Sequence, residues 1–168
     1  RDRLRSRGLG DVYKRQTLIM CFQSLILDMA GNVGTQSLAV TIRVLMDENL
    51  TFRQKFGLVV KEVRIGSANG LLLGLASFVL IGLYIWLFRG RDLMTASAVS
   101  GCIGISLLLA MAISSAVGTL IPLFFKKINI DPAVASGPLI TTVNDLVAVV
   151  TYYGLSWIFL LQVFHLAS

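Results

Sequence analysis

The chain has 168 residues, of which 55% are hydrophobic and 14% are charged, and its formal net charge is +6. Soluble domains carry about 25% charged residues, so this composition excludes an ordinary soluble domain and indicates an integral membrane protein. The positive charge does not indicate a nucleic-acid partner, because the basic residues crowd into the first fifteen positions or flank hydrophobic segments, as membrane anchors do. Cys21 and Cys102 are isolated in apolar surroundings, which favours packing over metal or redox chemistry.

Four hydrophobic segments follow a basic leader and are separated by short charged stretches. Hydrocarbon offers no water to open backbone groups, so each segment is predicted to be a membrane helix. The predicted fold is therefore all-α, a polytopic bundle of four transmembrane helices. The predicted ranges are a leader at 1–16, a membrane domain at 17–168, and helices at about 17–42, 65–88, 93–125 and 132–164.

The orientation of the segments follows from the basic residues between them. The connection Arg43–Arg64 holds five Lys and Arg, the stretch after the third segment holds Lys126 and Lys127, and the intervening "RGRD" loop holds two. Cytoplasmic loops are richer in basic residues. The connection Arg43–Arg64 and the stretch with Lys126 and Lys127 are therefore predicted to be cytoplasmic, and both termini to be outside. The basic leader conflicts with that orientation and has no apolar core for a signal peptide. We therefore expect a fragment that lacks a preceding helix, or a leader that is not native.

The first segment carries a polar stripe within "MAGNVGTQS" and its flanks. Three- and four-residue steps place its members near one helix face, and such a face in a bilayer must meet protein or water. The favoured interpretation is the wall of a polar conduit, and the alternative is a hydrogen-bonded seam between helices. Two roles remain open for the carboxylate of Asp28, namely attraction of cations and a simple contact between helices. The stripe comprises Asp28, Asn32, Thr35, Gln36 and Arg43.

The second segment has glycines at every fourth position, Gly66, Gly70 and Gly74. This spacing clears one helix face, so that the backbone of another helix can approach closely. We predict that these glycines serve helix packing.

The fourth segment opens with "DPAVASGPLITTVNDL". Asp131 and Pro132 are typical of a helix start, as N-cap and first helical residue. Pro138 is predicted to lie inside the helix, where its missing N–H would free the carbonyl of Val134.

Oxygen-bearing residues follow Pro138, and Thr141 and Asp145 share a helix face. Hard cations such as magnesium prefer oxygen ligands. The sequence has no cluster of His and Cys residues, so a site for a softer metal is not expected. One carboxylate is too few to strip the waters from Mg²⁺, so a hydrated ion is expected, with symmetry bringing a second Asp145 to the axis. The candidates in this stretch are Pro138, Thr141, Thr142, Asn144 and Asp145.

Three stretches, "DMAGNVGTQSLAVTIR", "VKEVRIGSANGLLLGL" and "IDPAVASGPLITTVNDL", resemble the transmembrane domain of the MgtE family of magnesium channels. The resemblance covers roughly residues 17–166. It implies a homodimer in the cell membrane, five membrane helices per chain, Mg²⁺ as the transported ion, and a pore on the dimer axis lined by segments one and four. It also implies that Asp145 is the central ion-binding aspartate.

The sequence departs from the family pattern in three respects. The family's first membrane helix and its regulatory cytoplasmic domains, which include a CBS-domain pair, have no counterpart here. Gly137 stands where some relatives have an asparagine of the pore wall. The resemblance therefore covers the family's membrane domain and gives no expectation about gating or regulation.

Besides a magnesium channel, two other functions remain open. An ion-coupled carrier of divalent cations is possible because intramembrane aspartates also relay protons. A non-conducting assembly module would use only the glycine faces. An enzyme is not expected, because His165 is the single histidine and no Ser/His/Asp or Cys/His set can be assembled.

Overall fold

The computed structural model describes residues 20–47, 50–90, 92–135 and 138–165. No strand occurs within these ranges, so the prediction of an all-α bundle is confirmed. The predicted leader, residues 1–16, lies outside the described residues. The elements are α1 (Gln23–Asp47), α2 (Phe52–Phe88), α3 (Leu93–Lys127), a 3₁₀ helix (Pro132–Ala135) and α4 (Pro138–His165).

The charged connection Arg43–Arg64 is largely helical, which differs from the prediction. α1 continues to Asp47 and α2 begins at Phe52. The start of α2 is fixed by Gln54, whose side-chain oxygen accepts hydrogen bonds from the Thr51 backbone N–H (2.8 Å) and hydroxyl (2.7 Å). This is the arrangement of a capping box. The charges had indicated where the apolar part of each helix ends, whereas the helices themselves continue beyond it.

The predicted fourth helix, 132–164, is divided in two. The Asp131 carboxylate accepts a hydrogen bond from the Ala133 N–H (2.9 Å), which confirms Asp131 as the cap of a helix start, here of the 3₁₀ helix. Pro138 then opens α4 instead of lying inside it, at the position where a missing N–H leaves nothing unpaired. The idea that it frees the carbonyl of Val134 within a continuous helix is therefore wrong.

α2 and α3 form an antiparallel pair in which glycines allow backbone contact. A Cβ built on Gly66 would lie 2.6 Å from the Cβ of Ser115, and one on Gly74 would lie 2.7 Å from the carbonyl oxygen of Gly104. Such close approach replaces the hydrophobic effect as a source of association between membrane helices. The predicted packing role of these glycines is confirmed.

α3 lies at the centre of the bundle, between α2 on one side and α1 and α4 on the other. Two adjacent serines of α3 bridge the layers. The Ser114 hydroxyl donates to the carbonyl of Ala30 in α1 (2.6 Å), and the Ser115 hydroxyl donates to the carbonyl of Glu62 in α2 (2.6 Å). Interhelical hydrogen bonds of this kind contribute about 0.6 kcal/mol each in a bilayer.

Three helices of the described chain are long and apolar enough to cross a membrane, judged by length and composition: Phe52–Phe88, Leu93–Lys127 and Pro138–Phe159. α1, at 25 residues, has sufficient length but is less apolar because of its polar stripe. The antiparallel order brings the start of α2 beside the end of α3. The basic residues of these two ends therefore lie at the same end of the bundle, as the predicted topology requires.

Candidate functional site

The polar stripe of α1 lies on a face that the described part of the chain leaves uncovered. The opposite face packs into the core, where Ile26 and Ala30 are fully buried. Hydrocarbon is an unfavourable neighbour for amides and carboxylates, so the uncovered face requires water or another protein chain. The four candidate residues of this helix are all exposed: Asp28, Asn32, Thr35 and Gln36.

The hydroxyl of Thr35 is tied to its own helix. Its Oγ1 donates to the carbonyl oxygens of Gly31 (2.9 Å) and Asn32 (3.0 Å). Because the proton is used in these bonds, the hydroxyl oxygen can act towards the outside only as an acceptor, through its lone pairs. A cation, or a water bound to a cation, is the complement of such a group.

The first turns of α4 present a second polar surface. Pro138, Thr141 and Thr142 are exposed, and Asp145 in the next turn is partly buried. The Thr142 hydroxyl donates to the carbonyl of Pro138 (2.7 Å), so its oxygen too is left as an acceptor. This surface therefore combines a carboxylate with a hydroxyl acceptor within two helical turns.

α1, α3 and α4 meet at one crowded junction. A Cβ built on Gly34 would overlap the side-chain amide of Asn144 and lie 2.6 Å from the Ser114 hydroxyl oxygen. One on Gly118 would overlap the carbonyl oxygen of Gly34. The junction therefore sets Asp145, the neighbour of Asn144, at the level of the polar stripe that flanks Gly34.

Asn144 differs from the other pore-lining candidates. It is fully buried, and neither its amide nitrogen nor its amide oxygen has a hydrogen-bond partner within the described part of the chain. One residue step rotates a helix by about 100°, so Asn144 and Asp145 cannot share a face. Asn144 lies inside the α1–α3–α4 junction, away from the uncovered face where sequence reasoning had placed it.

Glu62 is a buried charged residue that sequence reasoning missed. Only 3% of it is exposed, although it belongs to the stretch predicted to be a cytoplasmic connection. It lies near two bonded hydroxyls, since Ser115 donates to its backbone carbonyl and contacts the Ser37 hydroxyl at 2.9 Å. The missed signal was spacing, because Glu62 precedes Gly66 by four residues and so continues the glycine face.

The site chemistry is that of scattered oxygen ligands. No group of three or more His, Cys, Asp or Glu side chains able to hold a metal is found among the described residues. Asp28 and Asp145 each stand apart, beside hydroxyl and amide groups. Such a surface suits a cation that keeps its own water shell, and Mg²⁺ is the common cation most reluctant to lose it.

Known proteins provide an independent comparison. A family profile described as a divalent cation transporter, MgtE, matches residues 23–155. The magnesium transporter MgtE of Bacillus subtilis is 35% identical over 150 residues, covering 89% of this chain and 31% of that protein. Its counterpart in Enterococcus faecalis is 36% identical over 147 residues, covering 86% and 30%. The one in Thermus thermophilus is 30% identical over 150 residues, covering 89% and 31%. The chain thus spans about a third of the length of these curated relatives.

Proposed function

The chain belongs to the MgtE family of divalent cation transporters, and from that premise we propose that it builds the membrane pore of a magnesium channel. It is a multi-pass protein of the cell membrane. The observation that carries the proposal is the uncovered polar face of α1 at the level of Asp145. A membrane protein has no reason to keep four polar residues on an uncovered helix face unless water or another chain meets it.

A second copy of the chain completes the pore. In a twofold dimer the uncovered faces of α1 and α4 would meet their own equivalents across the axis. Two copies of Asp145 would then present two negative charges to the path, which match a divalent ion better than a monovalent one.

Asp145 holds the ion through its waters. A carboxylate within a membrane helix is costly, so it needs a compensating charge. α4 contains no Lys or Arg, and a cation in the pore supplies that charge. The acceptor oxygen of Thr142 then orients the inner-shell waters, so that the ion passes without full dehydration.

The test is magnesium flux into liposomes that contain purified protein. Asp145→Ala should abolish the flux or its selectivity over sodium, and Asp145→Asn, which keeps the shape but removes the charge, should weaken magnesium binding strongly. Asp92→Asn is the matched control, because this carboxylate caps α3 at the other end of the bundle. Size-exclusion chromatography checks that each variant remains folded. Normal magnesium-selective currents from Asp145→Ala would remove the assignment.

The same liposomes separate the other functions. A channel conducts magnesium without a pH gradient, whereas a proton-coupled carrier depends on one. An assembly module carries no flux, and it tolerates replacement of Asp28 and Asp145. The named relatives are transporters, and we propose no catalytic activity for this chain.

A further inference from the structure

The outer face of α2 has two depressions that neither the pore nor the bundle core uses. The first, which we call the basic groove, lies at the N-terminal end of the helix and is lined by Arg53, Phe56, Val60, Lys61 and Arg64. The second, the apolar groove, has a volume of about 180 Å³ and lies between α2 and α3. Its lining includes Gly70, Gly74, Leu75, Phe78, Gly101 and Gly104.

The lining of the basic groove combines positive charge with apolar surface. Arg53, Lys61 and Arg64 are exposed, and none of the residues that line the groove is acidic. The nearest carboxylate in sequence, Glu62, is buried on the other side of the helix. The exposed ring of Phe56 completes the groove, so that an anionic group with an apolar part is its chemical complement.

The two grooves lie along one face of α2. Val60, Arg64, Leu71, Leu75 and Phe78 follow one another by three, four or seven residues, and these steps return to the same side of an α-helix. A single elongated molecule can therefore lie along both grooves.

The distance along α2 from Arg64 to the apolar groove corresponds to the thickness of one membrane leaflet. At about 1.5 Å of rise per residue, Gly70 to Phe78 lies about 9–21 Å along the helix from Arg64, and one leaflet of hydrocarbon is about 15 Å thick. A phosphate held at Arg64 thus places the attached acyl chain beside the apolar groove. The floor of that groove is open because Gly74 and Gly104 bring the two backbones together without side chains.

From this geometry we infer a specific site for one anionic phospholipid. Its phosphate lies on Arg53, Lys61 and Arg64, and one acyl chain lies in the apolar groove between α2 and α3. Net charge distinguishes such a lipid from a zwitterionic one, and each basic residue near an anionic headgroup strengthens binding about fivefold. The site is on the far side of α3 from Asp145 and does not depend on the pore.

The test is native mass spectrometry of the purified full chain, titrated with phosphatidylglycerol and with phosphatidylcholine of the same acyl chains. One phosphatidylglycerol should bind in preference to phosphatidylcholine. Replacing Arg53, Lys61 and Arg64 together by Gln should reduce that preference about a hundredfold, at about fivefold for each charge. The control replaces Lys55, Lys126 and Lys127 by Gln, which removes the same charge from the same end of the bundle outside the groove and should leave most of the preference.

A second variant tests the acyl-chain part independently. A Cβ on Gly101 would meet the Phe78 ring at 3.8 Å, an ordinary contact, so Gly101→Leu places a larger apolar side chain in the apolar groove. It should weaken the binding of both lipids while the protein remains folded by circular dichroism.

Four outcomes would overturn the proposal. Equal binding of the two lipids would remove the headgroup site, and an equal effect of the control triple variant would reduce it to general surface charge. Displacement by glycerol 3-phosphate at equal concentration would show a free-phosphate site. A photo-crosslinker at Phe78 that captures a second copy of the chain, and no lipid, would show a protein interface.

Discussion

Asp28 and Asp145 are both carboxylates on the proposed path, but the bundle covers them to different degrees. Asp28 is exposed, whereas Asp145 is partly buried beside the crowded junction. The Tyr153 hydroxyl donates a hydrogen bond to the Gln23 side chain (2.8 Å), which links α4 to the start of α1. Asp28 lies on α1 between this link and the junction. In the proposed pore, the exposed charge of Asp28 would attract ions from solution, and the partly buried charge of Asp145 would bind them.

Asp28→Asn should therefore lower magnesium uptake only when magnesium is scarce. We expect about a fivefold loss at low concentration, equivalent to ~1 kcal/mol for one unit charge in water, and no loss at saturation. Concentration-dependent flux in liposomes measures the effect, with Asp28→Glu as the charge-preserving control. Unchanged flux at low magnesium would leave Asp28 only a role in helix contact.

The polar stripe of α1 could be predicted from residue spacing alone, because three- and four-residue steps define one helix face wherever the helix lies. The environment of Asn144 could not. It depends on Gly34 and Ser114, which approach it from two other helices. Local sequence shows that Asn144 is polar, but only the tertiary contacts show that it is enclosed.

Gly34→Ala should destabilise the bundle by about 1–3 kcal/mol, the usual cost of overpacking, because its new methyl group would overlap the Asn144 amide. Adding Asn144→Ala should recover at least about 1 kcal/mol of this, since contacting residues couple by such amounts. Thermal unfolding in mild detergent measures both. Gly31→Ala is the matched control, because a Cβ there meets nothing within 4 Å. Strictly additive effects of the two substitutions would contradict the contact.

Around Gly70 and Gly74, α2 and α3 meet by backbone contact, so their close approach there depends on the absence of side chains. Gly74→Ala puts a methyl group against the backbone of Gly104, which cannot turn away as a side chain does. We expect a loss of about 1–3 kcal/mol of stability. Gly154→Ala serves as the control, because a Cβ there meets nothing within 4 Å. If the two variants melt at the same temperature, the glycine contact does not stabilise the pair.

The helical type of the segments was predicted, because long apolar runs in a membrane have no alternative to the helix. Of the four predicted membrane spans, three are long and apolar enough to cross a membrane within the described residues. Their ends were predicted less well. The boundary 65–88 followed the apolar residues, but α2 starts at Phe52, where Thr51 and Gln54 satisfy open backbone groups. Pro138 could have located the start of α4, since proline favours the first helical turn and disfavours the interior.

The proposed pore requires two chains, with the uncovered face of α1 near the axis. In a variant without Cys21 and Cys102, Gln36→Cys should form a symmetric dimer on treatment with a short bifunctional thiol reagent in the bilayer. Gel electrophoresis shows the linked species. Leu72→Cys, exposed on the outer face of α2, should remain unlinked under the same conditions. A monomer that still conducts magnesium would exclude a pore on the dimer axis.

The hydroxyl bridges between α1 and α3 also set an order of events during synthesis. α1 carries polar residues that a bilayer disfavours, and its partner hydroxyl on Ser115 follows Ser37 by 78 residues. At about 5–20 residues per second, the ribosome needs about 4–16 s to supply that partner. During this interval α1 lacks the groups that stabilise it in lipid. The insertion machinery must therefore shelter α1 until α3 arrives, so that α1 settles only after a helix that is made later.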